Sequence, residues 1–155
     1  MAKDSNPFPN EPPCNATALR KASRRLTQLY DAALGNCGLR STQFTILVEL
    51  HLWPKEPPTV AELAAKLVTD RSALGHNLRP LEREGLVTLQ EGNEDRRRRH
   101  VVLTAQGKAR LRDALRLWET AQTRFNAVFG ESKAARLRAT LLEIAYDERL
   151  GRLQD

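Results

Sequence analysis

The sequence is poor in the residues that build most binding and catalytic chemistry. It holds two cysteines, one methionine and three histidines among 155 residues, and only 5% of it is aromatic. Two cysteines, Cys14 and Cys37, cannot form the disulfide framework of a small secreted scaffold. The N-terminus lacks the basic-then-apolar pattern of a secretory signal, so a reducing, cytoplasmic setting is expected. No apolar run nears the roughly 20 residues that cross a bilayer, because Arg, Glu or Lys breaks every leucine-rich stretch, and no membrane partner is expected. The histidines do not make a metal site. His76 and His100 fall on a helix face and a strand, and His51 has no Cys, His or carboxylate at a recognisable ligand spacing. A Gly-rich phosphate loop and a nucleophile elbow are also missing, so no enzymatic activity, metal or cofactor is expected.

What the sequence has is positive charge: 25 Lys and Arg against 19 Asp and Glu, a formal +6. That balance favours an anionic partner such as nucleic acid or an acidic surface. The hydrophobic content of 41% suits one compact domain rather than two. Pro7, Pro9, Pro12 and Pro13 mark residues 1–14 as an extended or disordered tail, which leaves 15–155 as the domain.

Within that domain the apolar spacing predicts mainly helix. Leu19, Ala22, Leu26, Leu29 and Ala33 define a first helix over 15–35, stopped at Gly35 and Asn36. A second, over 43–53, must end near Pro54. Thr59 and Glu62 have the spacing of a capping box for a third, with Val60, Leu63, Ala64 and Leu67 inward. Val68, Thr69 and Asp70 turn the chain, and Asp70 caps a fourth helix with Leu74, Leu78 and Leu81 inward, ending at Gly85. Residues 86–90 and 100–103 read as two strands around a charged tip, 92–99. Thr104 caps a long helix carrying Leu111, Leu115, Trp118, Ala121, Phe125 and Val128, and Ser132 caps a last one with Leu137, Leu141, Ile144 and Ala145 inward. The helices at 15–35 and 105–150 are amphipathic and outlie the central unit, so their apolar faces need cover, and a second copy in a homodimer is the economical choice.

Residues 40–104 thus read as a winged helix-turn-helix, in which the second helix of the pair enters the major groove and the hairpin tip follows the backbone or the adjacent minor groove. Opposite the buried leucines lie Ser72, His76, Arg79 and Arg83, all able to donate to bases or phosphates, with Arg71 at the helix start. Gly75 would let the helix approach a duplex closely. The run Arg96, Arg97, Arg98 and Arg99 at the tip repels itself unless phosphates neutralise it. A module that binds DNA without sequence preference, or that binds protein or RNA, is the alternative use of the same basic face.

Asp95 and Arg97, followed by Leu103, Thr104 and Gly107, and preceded by Leu81-Glu82-Arg83-Glu84-Gly85-Leu86-Val87, resemble the wing and recognition-helix signature of the MarR family of transcriptional regulators. The resemblance extends over nearly the whole chain from the first helix onward. It implies a triangular homodimer, held by the first and last two helices, whose lobes read a palindromic operator in double-stranded DNA, with repression as the family default. By position it implies that Asp95 braces the wing, that Arg97 contacts DNA, and that Ser72, Ala73, Gly75, His76 and Arg79 face the major groove. Two features depart from the pattern. Pro80 lies inside the recognition helix, where it removes a backbone donor and should bend the helix, and Gly75 stands where a hydroxyl residue is more usual.

MarR-type regulators usually release DNA on binding a small, often phenolic, molecule or on oxidation of a cysteine. Cys14 falls at the start of the first helix, where the helix N-terminus favours a thiolate, and organic-hydroperoxide regulators use a cysteine near that place. An inert thiol at a helix end is the other reading. A bridge from Cys14 to Cys37 within one subunit would span about 30 Å of helix and is excluded unless that helix melts, which leaves a bridge between subunits. For a small aromatic ligand, the family's pocket lies where the dimer helices meet the DNA-binding lobe, with Arg20, Tyr30, His51 and Trp53 as the candidates here. Tyr30 and Trp53 are equally readable as core or interface aromatics.

Overall fold

Polar side chains at the helix starts set the path of this chain. The computed structural model describes residue 8 and residues 10–92 and 98–151. Helix α1 (Asn15–Leu34) ends in a single turn of 3₁₀ helix, and Gly38, at φ 74°, reverses the chain into α2 (Ser41–Leu52). The Ser41 amide donates to the Asp31 carboxylate at 2.6 Å, which fixes that corner. Helix α2 starts two residues before the predicted Gln43, because the Gln43 side chain reaches back to accept from the Arg40 amide at 2.9 Å. It stops at Leu52 because Trp53 precedes Pro54 and is driven into extended backbone.

Helix α3 (Val60–Lys66) carries the expected capping box: the Glu62 amide donates to the Thr59 hydroxyl, and the Thr59 amide donates to the Glu62 carboxylate at 2.8 Å. The Asp70 carboxylate accepts from the Ala73 amide at 2.8 Å and starts α4 (Arg71–Arg83). Pro80 does not end α4, which continues through it to Arg83. Strands β1 (Val87–Glu91) and β2 (Arg99–Leu103) pair antiparallel, from Val87 opposite Leu103 to Glu91 opposite Arg99. The wing is tied to the entry of α3: the Val101 amide donates to the Pro58 carbonyl, and the His100 ring donates from Nδ1 to the Pro57 carbonyl, each at 2.8 Å.

Thr104 caps α5 (Ala105–Phe129) as expected, accepting from the Gly107 amide at 2.9 Å. Helix α6 (Glu131–Tyr146) differs from expectation at its start, where Gly130 rather than Ser132 is the N-cap. Gly130, at φ 94°, ends α5 and begins α6 in one residue, so no room remains for a separate serine cap.

The core joins the end of α1, α2, α3, α4, the wing and the first half of α5 through residues that include Leu34, Leu47, Leu63, Leu74, Leu81, Leu86, Val101 and Leu111. The first turn of α5 crosses the wing so closely that a Cβ at Gly107 would lie 2.0 Å from the Leu86 carbonyl oxygen. Outside that core, burial on α5 and α6 is limited to small residues such as Ala121 and Ala134. Ile144 and Ala145 were expected inward, yet both are exposed within one chain, and Leu19 on the apolar face of α1, which was expected to need cover from outside, is exposed as well. On α5 and α6, Val128 is 72% exposed and Leu142 48%. The result is a mainly helical chain with a two-stranded wing, the winged helix-turn-helix with long flanking helices that the spacing predicts.

Candidate nucleic-acid interface

Helix α4 separates its two faces cleanly. Leu74, Leu78 and Leu81 are buried, whereas Arg71, Ser72, His76, Arg79 and Arg83 are exposed. Ala73 and Gly75 are half-buried beside them. A shallow concavity of about 480 Å³ is lined by Asp70, Ser72, Ala73, His76, Asn77 and Arg79, so four of the predicted readers share one surface with two residues that were not predicted. Asn77 was missed because it lies between the donor face and the leucine stripe. Its amide donates one N–H to the Ala73 carbonyl at 3.0 Å, which leaves a second N–H and the amide oxygen for other partners.

A second concavity, of about 560 Å³, lies beside the first, lined by Thr59, Val60, Ala61, Glu62, Arg71, Arg98 and Arg99. It brings the start of α4 and the base of the wing onto the entrance of α3. The backbone hydrogen bond from Thr59, then the one from its hydroxyl, and then electrostatic interaction with His100 and Arg98 hold the Glu62 carboxyl below the usual carboxylate range. The one acid among these residues is therefore committed to capping, and three arginines line the same opening.

Arg99 was expected at the hairpin tip, but it is the first residue of β2 and pairs opposite Glu91. Opposite charges on facing positions extend the ladder by one pair beyond His100, where the second strand was expected to begin. Arg98 closes the hairpin with its carbonyl, which accepts from the Gly92 amide at 2.8 Å. Asp95 and Arg97 lie outside the described residues.

The remaining candidates sit elsewhere. Cys14 is exposed at the N-cap of α1. The Thr17 hydroxyl first, then the Thr17 and Ala16 amides and the Arg20 charge, hold its thiol below the ordinary cysteine range, although none completes a cap hydrogen bond. Tyr30 is half-buried and donates to the Gln122 side chain at 2.6 Å, joining α1 to α5, and burial pushes its phenol up. Trp53 packs at the edge of the core, whereas Arg20 and His51 are exposed. Neither concavity is lined by any of these four, so α4 and the wing form one surface and the ligand candidates do not converge on it. Among the described residues, no group of three or more His, Cys, Asp or Glu is arranged to hold a metal ion, and no helix is long and apolar enough to cross a membrane.

A helix-turn-helix whose second helix offers exposed donors, flanked by a hairpin with a basic base, is the architecture of a winged-helix DNA-binding protein. Comparison with known proteins narrows the class. A MarR family model matches residues 39–98. The organic hydroperoxide resistance transcriptional regulator of Bacillus subtilis (strain 168) is 32% identical over 89 residues, covering 57% of this chain and 59% of that protein, so the match spans somewhat over half of the relative's length. The Mycobacterium tuberculosis transcriptional regulator MosR, solved in complex with DNA, is 35% identical with a TM-score of 0.79, over 90% of this chain and 99% of that one. The transcriptional repressor CouR, solved on a 23-mer DNA duplex, is 26% identical with a TM-score of 0.76, over 85% and 92% of the two chains. The chain belongs to the MarR family.

Proposed function

We propose that this chain is a sequence-specific, cytoplasmic DNA-binding regulator that acts as a homodimer on a palindromic operator and represses until a small-molecule or oxidant signal releases it. The observation that carries this reading is the exposed face of α4, where Ser72, His76 and Arg79 stand beside Arg71, Arg98 and Arg99 at the wing base. In the proposed complex α4 lies in the major groove. Arg79 is the residue suited to a bidentate contact with guanine, Ser72 and His76 donate less selectively, and the wing-base arginines neutralise phosphates. Asp95 and Arg97 take the wing roles that family resemblance gives them.

Dimerisation is supported by the apolar side chains that one chain leaves uncovered on its outer helices, among them Leu19, Leu115, Val128, Leu142 and Ile144. Burying them against the same faces of a second copy returns roughly 25 cal/mol for each Å² removed from water. It also places two α4 helices on one duplex, as a palindrome requires. For the signal, the exposed Cys14 with its lowered thiol pKa supports an oxidant, and the relative that regulates organic hydroperoxide resistance points the same way. Tyr30, Trp53, His51 and Arg20 stay as the small-ligand candidates.

The test is fluorescence anisotropy with a labelled duplex from the chain's own upstream region and a random duplex of equal length, titrated with salt. The expected result is a preference of roughly a thousandfold or more for one site. If Arg71, Arg98 and Arg99 of both lobes each neutralise one phosphate, log affinity falls with log salt at a slope of about −5. Equal affinity for the random duplex would overturn operator reading in favour of sequence-indifferent binding. Peroxide should release the specific complex and a Cys14→Ser variant should resist it, whereas unchanged binding under peroxide would remove the oxidant from the proposal.

A further inference from the structure

The C-terminal end of α4 is held by polar groups from the first turns of α5. The Thr104 hydroxyl donates to the Gly85 carbonyl at 2.7 Å, and the Gln106 amide donates to the Glu84 carbonyl at 3.1 Å. One turn further along α5, Nη1 of Arg110 lies 3.6 Å from the Glu84 carboxylate. The same nitrogen donates to the Cys37 carbonyl at 2.9 Å, in the 3₁₀ turn that follows α1. One guanidinium therefore joins three elements: the long helix that carries it, the cap of the recognition helix, and the corner between α1 and α2.

We propose that Arg110 is a positioning residue that sets the angle of the recognition helix against the outer helices, and through it the spacing between the two half-sites that a dimer reads. This rests on the regulator reading above. The buried leucines Leu74, Leu78 and Leu81 hold α4 against the core by non-directional apolar contact, the hydrogen bonds from Thr104 and Gln106 pin the end of α4 to α5, and the Arg110–Glu84 ion pair ties that same end to the corner between α1 and α2. Helix α4 is about 20 Å long, so a tilt of about 10° at its capped end moves its first residues by about 3 Å. That displacement equals the length of a hydrogen bond and takes Ser72 off its partner. Arg110 is only partly exposed, with 30% of its side-chain surface open, and its two acceptors compensate the charge it brings into the corner. Nothing in its contacts requires DNA, so its influence on binding is geometric rather than electrostatic.

The experiment uses the full chain as wild type, Arg110→Ala, Arg110→Lys and Glu84→Gln. Each is titrated against the operator duplex and against duplexes with one base pair inserted or removed between the half-sites, at several salt concentrations. Wild type should prefer the native spacing. Arg110→Ala should lose roughly tenfold or more on the native operator, keep the wild-type salt slope, and discriminate less between spacings. Arg110→Lys keeps the charge for Glu84 but lacks the planar fork, and should fall between the two. Glu84→Gln, which keeps the Cys37 contact, should also be intermediate, and these two variants carry the test if the alanine variant does not fold. Unchanged spacing discrimination in folded variants overturns the proposal, as does a salt slope that drops by about two, which marks one phosphate contact in each lobe. A wild-type protein with no operator preference fails the regulator reading first, and this assignment falls with it.

Discussion

Gly75 stands inside α4, one turn from Arg71, Ser72 and Arg79, and an interior helical glycine costs about 1 kcal/mol relative to alanine. The described residues offer no packing reason for that cost, since a Cβ built at Gly75 meets no heavy atom of theirs within 4 Å. Gly75→Ala should therefore raise the unfolding free energy by about 0.5–1 kcal/mol. For a chain of this size that is a rise of about 2–4 °C in Tm per kcal/mol. On DNA the sign reverses. If the missing side chain is what lets α4 sit close to the duplex, the added methyl pushes the helix outward and loses on the order of one hydrogen bond, about 1–1.5 kcal/mol, or roughly tenfold in affinity. Thermal melting of the free protein and anisotropy on the operator read the two effects separately. A variant that melts higher and binds the operator as tightly as wild type would remove Gly75 from the interface, and one that melts lower would refute the claim of open space.

Three further substitutions test the frame around that helix. Gly107→Ala drives a Cβ into the Leu86 carbonyl and the Leu103 side chain, and should cost about 3 kcal/mol or more by urea denaturation, with no larger residue tolerated. Glu62→Ala removes half of a capping box and should cost about 0.5–1 kcal/mol at neutral pH. Because Thr59 lowers the folded-state pKa of Glu62, that stability is fully present above the ordinary glutamate value and is lost as pH falls through the lowered one, so the two melting curves should converge under acid. Val68, an exposed β-branched residue at φ 51° in the turn between α3 and α4, is strained, and Val68→Gly should stabilise by about 1 kcal/mol in the same denaturation assay.

Reading the sequence succeeded where a short-range rule decides the structure. Thr59 with Glu62, Asp70, and Thr104 each announce a helix start, because the hydroxyl or carboxylate that satisfies a free amide lies within three residues of it. The donor face of α4 was visible for a similar reason, since helical spacing alone puts Leu74, Leu78 and Leu81 opposite Ser72, His76 and Arg79. The α2 start was not visible, because arginine is not a conventional cap and the stabilising group is the Gln43 side chain three residues on. Gly130 was read as the end of one helix and not also as the beginning of the next. Least visible were the contacts that join distant segments. Arg110 with Cys37, Tyr30 with Gln122, and His100 with Pro57 follow from how helices pack, and no local pattern encodes them.

Local rules are broken here in a restricted part of the chain. Gly75 and Pro80 interrupt α4, Val68 takes a left-handed conformation just before it, and like charges crowd at Arg98 and Arg99, while α1 and α5 hold neither an interior proline nor a positive-φ residue. Sequences break such rules mainly where function demands it, but each break has to be asked whether the fold already explains it. Gly107 also departs from helical preference, and the Leu86 carbonyl 2.0 Å from its absent Cβ accounts for it entirely. Among the described residues Gly75 has no such neighbour. The contrast between two glycines in two helices separates one that packing explains from one that packing leaves unexplained, and the Gly75→Ala measurement decides whether the second belongs with Arg71, Ser72 and Arg79.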